Sequence, residues 1–167
     1  MLNRIDQLLI AMMEHEEKDA DRIQHFLKVH EFARLIGQRE ELPADILETL
    51  EVAAVVHDIG IHPAERKYGS GDGHYQELEG PPLVWEMLAR LGWEENVIER
   101  VAWLVGHHHT YTDIDGVDYQ ILVEADFLVN LFENNHPAET QRKVYQHMFK
   151  TESGKNLFQM MFDWEQK

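Results

Sequence analysis

Apolar residues recur every three or four positions along most of the chain, which is the spacing of amphipathic helices. One such stripe contains Val29, Phe32 and Ile36, and a longer one runs from Ile121 to Phe132. No segment shows the strict alternation that is typical of a half-buried strand. The pattern predicts helices over 3–17, 19–37, 43–57, 82–91, 95–106, 117–134, from Pro137 onward, and 155–165.

Neither a repeat nor a linker interrupts this helical pattern. The Gly-rich segment "GSGDG" at 69–73 is too short to separate two domains, and it lacks the GK[ST] ending of a phosphate-binding P-loop. A chain of 167 residues is long enough to bury a core of its own. We therefore predict one compact all-α domain, spanning residues 1–167, with about seven to nine helices.

The composition is that of a globular protein outside the membrane, with 44% apolar and 28% charged residues. No apolar run approaches the ~18 residues of a membrane span, and the first residues lack the features of a signal peptide. The absence of cysteine excludes disulfides and thiolate metal sites. A cytoplasmic protein without a membrane partner is the prediction, and homo-oligomer formation stays open.

The net charge of −16 bears on the choice of ligand. A negative field repels the phosphate backbone, so nucleic acid is not expected as a partner. The same field would repel a small phosphorylated molecule unless a cation waits in its binding site.

Potential metal ligands interrupt the apolar faces of three predicted helices. His25 is in line with the stripe that continues through Val29, His57 ends the third helix, and Asp126 flanks the apolar face of residues 117–134. A lone histidine on such a face is more often a hydrogen-bonded core residue. A buried carboxylate, however, needs a positive partner, and no lysine or arginine occurs between Arg100 and Arg142. The counterion of Asp126 must come from elsewhere in the fold or be a metal.

This ordered set of side chains resembles the HD superfamily of metal-dependent phosphohydrolases. The resemblance rests on His25, on the doublet His57–Asp58 in "VVHDIG" and on Asp126 in "EADFLVN". It extends over about 20–132 and leaves about 137–167 as a helical C-terminal extension. The resemblance implies a helical HD-type domain in which the four side chains bind one divalent transition metal: Mn, Fe, Co, Ni or Zn.

A second metal is a further implication of the resemblance. Some HD proteins hold two metals that are bridged by the aspartate of the doublet, with additional histidines as ligands. The candidates for that second site are His107 and His108, together with His74 or Glu79. A glutamate would depart from the all-histidine pattern of these relatives.

The phosphate contacts of the family are less directly matched. Many relatives have a lysine shortly after "HDIG", where this chain has Ile61 and His62. Arg22, Arg66 and Lys67 are therefore the candidates for substrate binding, and a solvated surface charge is the alternative for each.

The implied reaction is hydrolysis of a small phosphoester, with a nucleotide or related metabolite favoured, by attack of metal-bound hydroxide. In this hypothesis Asp58 holds the metal and orients the water, while His107 or His108 protonates the leaving oxygen or binds the phosphate. Two alternatives remain: a di-iron HD-type oxygenase, and a non-catalytic domain that senses a metal or another ligand.

Overall fold

The computed structural model describes residues 1–163, and these residues form helices and connecting turns without a strand, which confirms the all-α prediction. The predicted helix 155–165 corresponds to an observed helix at Glu152–Met161. The last two predicted positions, 164 and 165, lie outside the described part of the chain. The helices of residues 1–163 are α1 (Arg4–His15), α2 (Ala20–Arg39), α3 (Ala44–Val56), α4 (Ile61–Tyr68), α5 (Gly73–Arg90), α6 (Glu95–Val105), α7 (Val117–Glu133), α8 (Ala138–Met148) and α9 (Glu152–Met161).

Two helical regions were not predicted. Helix α4 has only eight residues, and Gly69 ends it in the left-handed conformation with a φ of 71°. Helix α5 begins at Gly73 and continues through Pro81 and Pro82. A proline pair is typical of a helix start, because proline lacks the N–H that an interior position donates. That preference explains why the sequence indicated a helix from 82 onward only.

Helix α2 is the central element of the core. It packs against α3 and α7, and α3 also contacts α6 and α7. The small side chains of Ala33, Ala53 and Ala54 are fully buried at these contacts, so the helices can approach closely. Because α2, α3 and α7 all meet here, side chains from three separate parts of the sequence can reach one point. None of the described helices combines the length and apolar character needed to cross a bilayer.

The outer surface of α7 differs from its predicted apolar face in one position. Phe132 was placed on that face, but it is 64% exposed, and the ammonium group of Lys28 lies 5.8 Å from the centre of its ring. The apolar stripe of α7 therefore ends at Leu131, which is buried.

A buried carboxylate attaches the C-terminal helices to α7. Glu124 accepts hydrogen bonds from the backbone N–H groups of Lys150 and Thr151 at 3.2 and 3.1 Å, and from the Thr151 hydroxyl at 2.7 Å. Burial raises the pKa of Glu124 from its ordinary value, and these hydrogen bonds favour the charged form. The N-terminus of α9 is thereby fixed to the centre of the domain.

The turn of residues 57–60 joins α3 to α4 and depends on glycine at its end. A Cβ atom on Gly60 would lie 2.8 Å from the carbonyl oxygen of Gln76 and 2.9 Å from the backbone nitrogen of Gly80. Both atoms belong to the backbone of α5 and cannot rotate away. Gly60 thus lets α5 approach directly behind the doublet His57–Asp58.

We expect Gly60→Ala to lower the free energy of unfolding by about 2–3 kcal/mol, since the added methyl group overpacks a rigid contact. Urea denaturation would measure the change. The matched control is Gly71→Ala, whose nearest neighbour is the flexible Glu65 side chain at 3.3 Å, and we expect it to change stability by less than about 0.5 kcal/mol. Equal urea midpoints for the two variants would contradict the close approach of α5.

Candidate metal centre

The structure brings His25, His57, Asp58 and Asp126 together in the interior. His25 lies on α2, the doublet follows the last residue of α3, and Asp126 lies on α7. All four residues are buried, with exposed fractions between 0% and 7%. The packing of α2 against α3 and α7 is what positions them side by side.

The polar atoms of these four side chains face one another at short distances. The Nε2 atom of His25 lies 3.1 Å from Nε2 of His57, 3.1 Å from Oδ2 of Asp58 and 3.2 Å from Oδ1 of Asp126. The Nε2 atom of His57 lies 3.2 and 3.4 Å from the same two oxygens. Four electron-rich atoms therefore converge on a single small volume. We refer to this group as the central cluster.

A divalent metal fits this arrangement of donor atoms. His25, His57 and Asp58 each offer one ligand atom within the span that a single ion can bridge. Two imidazole nitrogens and carboxylate oxygens are the ligands that Mn, Fe, Co, Ni and Zn accept. A cation would also neutralise two buried carboxylates, of which Asp126 has no lysine or arginine partner within residues 1–163.

Hydrogen bonds on the far side of each ring orient the histidines. Nδ1 of His57 donates to the carbonyl oxygen of Ala54 at 2.7 Å, and Nδ1 of His25 contacts Oε1 of Glu133 at 2.5 Å. Glu133 is held in turn by the ammonium group of Lys28 at 2.7 Å. An acceptor at Nδ1 fixes the proton there and leaves the Nε2 lone pair of the neutral ring available to a metal.

Electrostatics in the cluster favour protonated histidines beside ionised aspartates when no metal is bound. Burial lowers the pKa of His25, but hydrogen bonds to Asp126 and Asp58 outweigh it and raise that pKa to about 9. Burial acts in the opposite sense on Asp126, and its contacts with His25 and His57 hold its pKa well below the usual range. A metal must displace the proton on His25, so its apparent affinity rises as the pH increases towards about 9.

Asp58 also belongs to a second group of potential ligands. Its Oδ2 faces the central cluster, whereas its Oδ1 lies 3.3 Å from Nε2 of His108. Nδ1 of His108 donates to the carbonyl oxygen of Val105 at 2.7 Å, so this ring is oriented in the same way as His57. Asp58, His108 and His109 could jointly hold an ion. The two oxygens of Asp58 thus face two neighbouring positions for a cation.

Comparison with known proteins agrees with this geometry. The family model described as "HD domain" matches residues 22–153, which is most of the chain. This chain belongs to the HD domain family. A crystal structure of a "predicted HD superfamily hydrolase" from an uncultured Thermotogales bacterium is similar in fold, with a TM-score of 0.66 and 24% identity. The similarity covers 93% of this chain and 83% of that one. No curated protein matches the chain significantly.

Within this HD domain, the histidines of the 107–109 segment differ in direction. The His107 ring stacks on Trp103 at 4.0 Å between ring centres, and its Nδ1 bonds to the Trp103 carbonyl oxygen at 2.7 Å. The structure therefore brings His108 and His109, and not the predicted pair His107 and His108, to Asp58. His109 is positioned by Gln76, whose Oε1 atom lies 2.9 Å from its Nε2.

The other two candidates for a second metal lie outside these groups. Glu79 accepts hydrogen bonds from Lys67 and from the Tyr68 hydroxyl, both at 2.9 Å. His74 is exposed, and its ring lies next to that of Tyr75. Neither residue is among the described groups that could hold a metal.

The three candidates for phosphate binding are also separated by the structure. Arg22 reaches the cluster, because its Nη1 atom donates to Oδ2 of Asp58 at 3.1 Å. Arg66 is exposed on α4, and Lys67 is engaged with Glu79. Arg22 is therefore the candidate that the fold places beside the potential metal ligands.

Several residues that support the cluster were not predicted from the sequence. Glu133 orients His25, and the side-chain amide of Asn130 donates to Oδ1 of Asp126 at 3.0 Å. These two residues follow Asp126 by seven and four positions, so all three share one face of α7. That spacing was the signal that could have identified them.

A cavity of about 580 Å³ opens on the side of the cluster where Arg22 and Glu133 lie. Lys28 also lines it, with 38% of its side chain exposed. The cavity therefore presents two cationic side chains, Arg22 and Lys28, together with two carboxylates, Asp21 and Glu133.

Proposed function

We propose that this HD domain protein is a metal-dependent phosphohydrolase that acts on a small phosphoester, with a nucleotide or related metabolite as the favoured class. The observation that carries the proposal is the convergence of Asp58 and Asp126 on the Nε2 atoms of His25 and His57: these two nitrogens lie 3.1 Å apart, and each lies 3.1–3.4 Å from a carboxylate oxygen of both aspartates. Such a donor set suits a transition metal, and the chain is similar in fold to a protein described as a "predicted HD superfamily hydrolase".

The residues of the central cluster would hold the metal, and those around it would handle the substrate. A divalent metal in such a site polarises a phosphoryl oxygen and makes a coordinated water more acidic. Arg22 already touches Asp58 at 3.1 Å, and its fixed fork of N–H donors suits a phosphate group that approaches the same point.

In this proposal His108 is the proton donor for the leaving oxygen. Its Nδ1 is fixed on the Val105 carbonyl, so a proton can be exchanged at Nε2, which faces Oδ1 of Asp58. His109 stands beside it, with ring centres 3.9 Å apart. Burial and the neighbouring His108 lower the pKa of His109 to about 4, so His109 is neutral at physiological pH and is suited to act as a ligand.

Charge and shape favour a small substrate over a polymer. The net charge of −16 would repel each additional backbone phosphate of a nucleic acid. The cavity that Arg22 and Lys28 line also contains the carboxylates of Asp21 and Glu133, so the charge of a single phosphate group would be offset mainly by the metal.

The test is release of inorganic phosphate from a panel of nucleotides, cyclic nucleotides and sugar phosphates. We expect EDTA to abolish release, and Mn, Co or Ni to restore it. Metal-independent release would overturn the proposal. Oxygen consumption with bound iron and no phosphate release would instead indicate a di-iron oxygenase, with the two irons at the two cation positions beside Asp58.

A further inference from the structure

A third group of potential ligands, which shares no residue with the central cluster or with the group around His108, joins the α1–α2 turn to α4. It consists of Glu16, Asp19 and His62, which each offer one atom within the span of a single ion. The Nε2 atom of His62 lies 2.9 Å from Oε2 of Glu16 and 3.0 Å from Oδ2 of Asp19. We refer to this group as the turn cluster.

The decisive observation is an unsatisfied oxygen on Glu16. Its side chain is 1% exposed, yet its Oε2 atom has no hydrogen-bond partner within the described chain. The nearby His62 does not supply one, although it is only 2.9 Å away. An unpaired carboxylate oxygen in the interior is costly, and burial raises the pKa of Glu16 to about 7.

Hydrogen bonding alone does not account for the arrangement. A single N–H at Nε2 of His62 can serve only one of the two facing carboxylate oxygens well. No lysine or arginine of residues 1–163 forms an ion pair with Glu16 or Asp19. The guanidinium of Arg22, whose charge acts on Glu16, is bound to Asp58.

Hydrogen bonds to the other polar atoms of His62 and Asp19 fix the orientation of these two side chains in the turn cluster. Nδ1 of His62 bonds to Oε2 of Glu65 at 3.1 Å, which leaves Nε2 as the free nitrogen. A carboxylate behind a histidine is a common feature of metal sites, because it fixes the orientation of the ring. Oδ1 of Asp19 accepts from the backbone N–H of Arg22 at 3.1 Å as the N-cap of α2, so Oδ2 stays available.

We propose that the turn cluster is an auxiliary divalent-cation site, with Glu16, Asp19 and His62 as ligands. One imidazole nitrogen and two carboxylate oxygens, with room for water, are a ligand set that suits zinc. The side chains of Asp19 and His62 are 31% and 29% exposed, so an ion can enter from solvent. This proposal goes beyond the phosphohydrolase function and does not depend on it.

An ion at this site would connect two elements that carry active-site candidates. Asp19 caps the first turn of α2, which bears Arg22 and His25, while His62 lies on α4 directly after the turn that contains Asp58. The ion would therefore fix the N-terminus of α2 against α4 without contacting the substrate.

Equilibrium dialysis against buffered Zn²⁺ at pH 7.5 tests the site, with bound metal counted by elemental analysis. We expect Glu16→Gln and His62→Gln to bind about one equivalent less zinc per chain than the wild type. The matched control is Glu17→Gln, which removes a neighbouring exposed carboxylate and should keep the wild-type content. Asp126→Ala should lose a central zinc and keep the auxiliary one. Equal zinc content in Glu16→Gln, His62→Gln and Glu17→Gln would overturn the proposal.

Thermal unfolding separates a cation site from a simple ion pair between Glu16 and His62. In EDTA, the Glu16→Gln variant should melt at or above the wild-type temperature, because it removes a buried charge that lacks a hydrogen-bond partner. Added Zn²⁺ should raise the melting temperature of Glu17→Gln by more than that of Glu16→Gln. The opposite result would show an ion pair alone: Glu16→Gln would melt well below the wild type in EDTA, and zinc would raise its melting temperature as much as that of Glu17→Gln.

Discussion

Replacement of Asp58 by alanine is expected to reduce metal-dependent phosphate release at least about 1,000-fold. Within residues 1–163, Asp58 is the one residue whose two carboxylate oxygens face two groups of potential ligands, with Oδ2 near His25 and His57 and Oδ1 near His108. Its loss would remove a ligand from the central cluster and a bridge to the second position. It would also leave Arg22 without its partner. Phosphate release per bound metal ion is the measurement.

Two further variants make the Asp58 result interpretable. Asp58→Asn keeps the shape of the side chain and one of its oxygens, so misfolding is not expected to explain a decrease in its activity. We expect phosphate release to fall in Asp58→Asn by a factor similar to that in Asp58→Ala. Asp45→Ala removes an exposed carboxylate from the first turn of α3, the helix that precedes the doublet, and should leave activity within about threefold. Wild-type activity in both Asp58 variants would move the reaction to another site.

The second large effect is expected in the 107–109 segment, where adjacent histidines should behave differently. His108→Ala should lower kcat about 100-fold, because the Nε2 atom that faces Asp58 would be lost. His107→Ala is the matched control, since its ring stacks on Trp103 and faces away from that contact. We expect kcat to stay within about threefold of the wild type in His107→Ala. Steady-state kinetics at saturating metal would measure both.

The metal content of these two variants distinguishes two roles of His108. A proton donor would leave both metal content and KM nearly unchanged and would alter the pH profile of kcat. A ligand of a second ion would lower metal content by about one equivalent per chain and would raise the metal concentration needed for activity. Equal kcat values for His107→Ala and His108→Ala would contradict the assigned orientation of the segment.

The periodic hydrophobic pattern was sufficient to predict most of the helices. Long stripes of apolar residues specify α2 and α7, because each buries one face along its whole length. The weakness of the pattern lay in short or proline-containing segments. Helix α4 has only eight residues, and α5 contains Pro81 and Pro82. In α5, packing against α6 and the close approach to Gly60 outweighed the preference of proline for the start of a helix.

The sequence alone also indicated His25, the doublet and Asp126 as a set. Two lines of reasoning led to them: their positions on apolar faces with no local counterion for Asp126, and the resemblance to the HD superfamily. Their convergence is a property of the fold, because it depends on the packing of α2 against α3 and α7. Their role as metal ligands stays a prediction until metal content is measured.

Side-chain direction at the ends of helices was decided only by tertiary structure. Three consecutive histidines look equivalent in the sequence, yet the turn after α6 directs His107 to Trp103 and His108 to Asp58. Contacts between distant segments were equally hidden: His25 meets Glu133 across 108 positions. His62 approaches Glu16 from a different helix. Periodicity specifies which face of a helix is buried, whereas the partners on that face are set by how the helices pack.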